Sequence, residues 1–308
     1  MNITLLSAEN IWGDEALEIL KEDAMKTASL SDLAVLLGGR QFFDVCAADG
    51  EPSGWLWTSS ADEYEDIRAV TKGSVMGFAC TSWRDVSVRP MITASQACQI
   101  PQNKIKKGRA FKGIETILSG EFPQTLADNQ DKLELLYQAK KLKQTGKSYQ
   151  FDYADIDDYD APYQAKSYTE YTLNGEKYIR VRPKLPDWNC SRLSSGEHPM
   201  NWQPYFIKVE PVEWLKDKSG ALVAKKALVA GFRFDEKEAY NGRFEKTSMY
   251  RRLKQIGDKM EPMIEKLERN KKNQETLERI LNYKESVIQD KVSEQIKKKY
   301  ILDQKQKN

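Results

Sequence analysis

The chain has a single histidine among 308 residues. That scarcity rules out any histidine-based catalytic triad or multi-histidine zinc site built within one chain. The residue itself, His198, sits in a Gly196-Glu-His-Pro199 loop. Cysteine is nearly as sparse: Cys46, Cys80, Cys98 and Cys190 stand far apart and form no Cys-x-x-Cys pair. This usage fits reduced thiols in a cytosolic protein better than a disulfide framework or a zinc site. No run approaches the ~20 apolar residues that a membrane helix needs. The opening Met1-Asn-Ile-Thr-Leu-Leu-Ser7 meets Glu9 without a basic segment, so no secretory leader is read there. The cytoplasm is the expected location, with no membrane contact and no cofactor.

What is present is a soluble composition with a real core: 40% hydrophobic residues, 10% aromatic and 31% charged. The net charge of +2 conceals an asymmetry. Residues 243–308 hold 18 basic and 11 acidic side chains, so a mildly acidic body carries a lysine-rich end. Such an end binds nucleic acid or an acidic partner, or it is a solvated helix of mixed charge.

Apolar spacing predicts a helix near 14–20 and a second over 29–39, with Ser31 or Asp32 as its cap and Gly38 at its left-handed end. Short strands are expected at 54–60, 67–71, 75–80 and 86–92, completing a first module over 1–100. Residues 101–111 read as a linker, with one proline, one glycine and several lysines. A second module is expected over 112–246. It contains a helix over 131–142, strands at 205–209, 213–215 and 221–227, and a hairpin turning at Asn174-Gly175. From 247 to 308 the pattern is helical, interrupted at Pro262 and without a sustained heptad, which predicts a long charged helical tail.

One stretch carries the strongest pattern. Gly54-Trp-Leu-Trp-Thr-Ser-Ser60 leads through Asp66-Ile-Arg-Ala-Val70 to Val88-Arg-Pro90, and further on stand Gly120-Glu-Phe-Pro-Gln124 and Val209-Glu-Pro-Val-Glu-Trp214. These elements resemble the C-type-lectin-like fold of formylglycine-generating-enzyme relatives and of the variable proteins of phage diversity-generating retroelements. They also resemble a group of gut bacterial and phage proteins. The resemblance implies an α+β fold, a C-type-lectin-like mixed body of short strands and two or more helices, followed by the long C-terminal helical tail. It further implies a recognition role, in the cytoplasm or associated with a virion. The two element groups stand in reversed order here, so the chain holds either the tail of one such domain and the head of another, or one domain with permuted halves.

Period two puts Trp55 and Trp57 on one strand face, and the proline after Arg89 holds that residue extended. Its guanidinium then reaches nearby carbonyls or a carboxylate such as Asp66. Two readings stay open for Trp55, Trp57, Tyr64, Trp83, Arg84 and Arg89: an exposed aromatic-and-arginine partner surface, or a buried tryptophan pair with structural arginines. No catalytic set emerges. The cysteines have no local histidine to lower a thiol pKa. Glu210-Pro-Val212 and Gln203-Pro-Tyr205 lack the third oxygen of a calcium-dependent sugar site. The acidic run 152–160 fails the calcium-loop pattern, and Thr145-Gly-Lys-Ser148 lacks the first glycine of a phosphate loop. No spacing singles out a carboxylate pair for glycoside hydrolysis. The expected function is therefore a non-enzymatic recognition or structural protein that docks a protein partner or self-associates through its tail. The alternative is a nucleic-acid-associated factor in which Lys271, Lys272, Lys297, Lys298 and Lys299 meet phosphates, although no aromatics interleave those lysines.

Overall fold

A computed structural model describes residues 1–14, 16–61, 66–153, 164–235, 240 and 243–260. In chain order the first elements are β1 (Thr4–Leu5), α1 (Ala8–Trp12), α2 (Asp23–Lys26), α3 (Asp32–Leu36), β2 (Gln41–Cys46) and β3 (Pro52–Gly54). Then come β4 (Leu56–Ala61), β5 (Ile67–Val70), β6 (Met76–Ala79), β7 (Pro90–Ile92), α4 (Ala94–Ala97) and β8 (Lys106–Lys107). Four long strands follow: β9 (Thr116–Leu126), β10 (Lys143–Tyr153), β11 (Gln164–Leu173) and, after β12 (Glu176–Val181), β13 (Tyr205–Lys216). Helix α5 (Gln130–Gln138) lies between β9 and β10, and β14 (Leu222–Ala224) and α6 (Ser248–Lys259) complete the described elements.

Antiparallel pairing joins nine of these strands into one sheet, in the order β1-β7-β14-β13-β12-β11-β10, with β9 also on β13 and β8 on β9. This corrects the expected architecture. The body is mostly this large antiparallel sheet, with a two-stranded sheet β2-β3 and a three-stranded sheet β4-β5-β6 besides it, not a C-type-lectin-like mixture of short strands and helices, and its longest described helix, α6, has 12 residues. The physical reason lies in the irregularities. Strand β13 runs unbroken where two strands were read, because a register shift beside Pro211 absorbs the missing ladder donor. The glycine of Thr145-Gly-Lys-Ser148 has φ 84° and sits at a bulge inside β10, not in a phosphate loop. The expected tail is represented only by α6, and residues 261–308 lie outside the described residues.

Met1–Ile264 form one compact unit. Both expected modules contribute to its sheet: β1 and β7 come from the first hundred residues, and β9 to β14 from later ones. The segment after β14 threads between them. The Ala227 amide donates to the Ser29 carbonyl and its carbonyl accepts from the Ser31 amide, while Val88 donates to the Val229 carbonyl and accepts from the Leu228 amide.

Along the path β9-β13-β12-β11-β10 the outer strands are four steps apart, about 19 Å in a flat sheet. Yet the Phe122 ring of β9 lies 5.8 Å from Tyr149 and 6.0 Å from Phe151 of β10, so the sheet is strongly curled. Several local signals act as expected. Ser31 caps α3 by accepting from the Ala34 amide, Gly38 takes φ 99°, and Asn174 and Gly175 turn the β11–β12 hairpin with φ 53° and 87°.

Candidate functional site

The tryptophan–arginine set belongs mainly to the interior. Trp57 is 1% exposed and packs 5.3 Å from Phe234. Trp55 is buried edge-on to the half-buried Trp83 at 4.9 Å, with the Arg40 guanidinium over its ring. Arg84 is buried, and its carbonyl accepts from the Gly231 amide. Arg89 is also buried and donates to four carbonyls, those of Ala224, Met25, Lys26 and Thr27. Burial lowers its pKa to about 10, so it keeps its charge at neutral pH. Tyr64 and the five tail lysines lie outside the described residues.

Exposed aromatics occur elsewhere, on the 182–204 loop that joins β12 to β13. Trp188 is 47% exposed, Trp202 53% and Met200 65%. Sequence reading passes over them because prolines at 183, 186, 199 and 204 break any period. Two tryptophans in a proline- and serine-rich stretch without alternation were the available signal.

This long loop is anchored to itself and to the body by polar groups. Asn189 donates to the Gly38 carbonyl, and Ser191 donates to that of Gly39 while accepting from the Gln41 amide. Asn201 and Leu185 exchange two hydrogen bonds, which fixes 183–185 against 201–202. At the base, Asp32 of α3 is 4% exposed and accepts from the Ser194 amide (2.6 Å), the Ser194 hydroxyl (2.7 Å) and the Leu126 amide (2.6 Å). One carboxylate thus ties helix, sheet and loop together.

Cations flank the exposed rings. Arg182 donates to the Trp202 carbonyl, and the Arg192 guanidinium lies 5.7 Å from the ring of Phe43, itself 44% exposed. Trp188 lies three residues beyond Leu185, a reach of at most about 11 Å, so its backbone stays near the zipped part of the loop. A comparison with family models, curated proteins and solved structures finds no match to this chain.

Two further places carry ionisable groups. On the curled face, Lys177 pairs with Glu121 at 2.5 Å, and Glu170 accepts from Tyr149 and Thr145. Burial pushes the Glu121 carboxyl up against the pull of Lys177. Replacing Lys177 with Met leaves a buried carboxylate without its cation and should cost about 3–5 kcal/mol at neutral pH. Glu121 then holds its proton more tightly in the folded chain than in the unfolded one, so the loss grows as pH rises through its raised pKa and shrinks at low pH. Urea titrations of both chains at several pH values check this; an equal loss at every pH would refute it.

The second place is a cleft of about 510 Å³ over Ile19, Met25 and Ile114. Lys218 pairs with Glu18 and Lys216 with Glu115, so much of its charge is answered internally. Among the described residues no group of three or more His, Cys, Asp or Glu side chains could hold a metal ion. Burial pushes the Cys80 thiol up, away from a nucleophilic thiolate. No helix among the described residues is long and apolar enough to cross a membrane.

Proposed function

We propose that this chain is a non-enzymatic recognition protein and that the 182–204 loop, with Phe43 beside it, is its contact surface for a protein partner. The observation that carries this reading is that Trp188, Met200 and Trp202 are all exposed on one loop whose backbone is tied down by buried polar anchors. Tryptophan, methionine and arginine are enriched at protein interfaces, and truncating a central tryptophan typically costs about 2 kcal/mol or more. Rigid presentation lowers the entropy lost on binding. Arg182 and Arg192 select a partner with carboxylates opposite them.

The test compares immobilised full-length protein with a Trp188→Ala/Trp202→Ala form of equal near-ultraviolet circular dichroism, both exposed to nuclease-treated extract. A partner held by the parent should bind the variant roughly 30-fold more weakly or worse, and it should elute at high salt only in part. Equal retention by both forms would sink the reading. Retention seen only from a parallel untreated extract, and absent from the nuclease-treated one, would instead assign the surface to nucleic acid, where the same aromatics would stack bases.

A further inference from the structure

We propose a second binding surface, independent of the aromatic loop: the exposed basic segment 104–109, which meets the phosphate backbone of a nucleic acid. Over residues 86–114 the chain holds no acidic residue, while Lys104, Lys106, Lys107 and Arg109 follow one another closely. All four are exposed. Among the described residues, none of the four makes an ion pair or a side-chain hydrogen bond. By contrast, Lys216 pairs with Glu115, Lys218 with Glu18 and Lys225 with Glu213. Lys112 shares its cleft with Glu18 and Glu22 and is not counted with the four.

The backbone of this segment is fastened to the sheet. Lys106 and Lys107 form β8 and pair with Leu118 and Ile117 of β9. To either side, the Ser119 hydroxyl donates to the Lys104 carbonyl at 3.0 Å, and the Thr116 hydroxyl to the Arg109 carbonyl at 2.7 Å. The Gly108 amide donates to the Thr116 carbonyl. A Cβ at Gly108 would fall 2.3 Å from Thr116 Oγ1, so the segment lies close against β9. Lysine on an edge strand deters sheet-to-sheet pairing, yet Lys104 and Arg109 lie outside the paired residues and serve no such end. Four like charges along at most about 17 Å of chain raise a local positive potential, which a polyanion lowers.

The class of polyanion follows from what accompanies the charge. Protein interfaces are built around aromatic or apolar anchors and are poor in lysine. Over residues 79–134 no large hydrophobic side chain is exposed. The segment thus offers no anchor to a protein partner and nothing to insert into a lipid surface. Phosphodiester binding needs neither, because it rests on cations that release condensed counterions. No exposed ring stands beside the four cations to stack a base, so the contact is to the backbone and indifferent to sequence.

The test is fluorescence anisotropy of the full chain with a labelled twenty-base-pair DNA duplex over a series of salt concentrations. With four phosphate contacts, log K should fall against log salt with a slope of about −3.6. Lys106→Gln/Lys107→Gln/Arg109→Gln, all at exposed positions, should keep the parent's Tm and bind at least tenfold more weakly. Its slope should flatten by about 2.7. The control Lys216→Gln/Lys218→Gln/Lys225→Gln removes as many charges, each one paired, and should bind within threefold of the parent. No binding at low salt overturns the proposal. So does a segment variant that binds like the parent, which would place the contact elsewhere in the chain. Equal losses in the segment variant and the control would reduce the effect to net charge and likewise overturn it. Phosphatidylserine vesicles and polyglutamate serve as competitors. If either displaces the labelled duplex at a lower concentration of charge than unlabelled duplex does, the segment belongs to a lipid or an acidic protein surface, and the proposal falls.

Discussion

Replacing Asp32 with alanine should destabilise the chain by about 3–5 kcal/mol, more than any surface substitution and enough to lower Tm by roughly 10 °C. The side chain is 4% exposed and accepts three hydrogen bonds from two separate parts of the chain. Its removal leaves the Leu126 and Ser194 amides without their acceptor, and an unsatisfied buried donor costs about 1–3 kcal/mol. It also removes an acidic residue from the first turn of α3, where the helix dipole favours negative charge. The Asp32→Asn form keeps one carbonyl oxygen at this position, and its stability should fall between those of the parent and the alanine form. Because Ser194 belongs to the loop that presents Trp188 and Trp202, the alanine form should also show a red-shifted tryptophan emission before the global transition. Urea unfolding within about 1 kcal/mol of the parent, with unchanged exchange at the Leu126 and Ser194 amides, would refute the role assigned to Asp32.

Arg89→Met should cost about 3 kcal/mol, and Arg89→Lys should recover little of it. The guanidinium joins Ala224, at the end of β14, to three successive carbonyls, Met25 to Thr27, at the end of α2. A single ammonium offers three donors from one point and does not span both sides as the planar fork does. The pH dependence has a definite sign. Burial lowers the pKa of Arg89 to about 10, below its unfolded value. The folded chain therefore binds this proton less tightly than the unfolded one. Burial of its charge offsets part of what its hydrogen bonds contribute, and that offset fades as pH climbs through about 10 toward the unfolded value. Methionine abolishes this slope. Chemical unfolding of both chains between about pH 8 and 11 measures it, and parallel curves would contradict the assignment.

Local features were legible in the sequence because a few adjacent residues decide them. Asn174-Gly175 specifies its turn whatever surrounds it, Ser31 caps the helix that follows, and the leucine spacing over 131–142 yields α5. Strand partners were not legible. Nothing near Met91 announces that it will pair with Val223, or near Ile117 that it will face Trp214. Motif resemblance filled that gap with a lectin-like architecture, and the long-range ladder replaced it with a large curled sheet and two small ones. The same limit applied to the site. The alternation in Trp55-Leu-Trp57 marks a strand, and strands of alternating pattern send their rings inward, so the pattern that stood out in the sequence belongs to the core. Trp188 and Trp202 lie where no period exists, and only the fixed loop shows that they face solvent.

The order in which the sheet is assembled has a consequence for synthesis. Strand β1 pairs with β7, and β7 pairs with β14. A ribosome working at about 5–20 residues per second needs roughly 7–26 s to pass from residue 92 to residue 222. For that interval the emerging chain carries Trp55, Trp57, Val88 and Met91 without the strand and the threading segment that enclose them. The burial of the first hundred residues thus waits on a part of the message not yet translated.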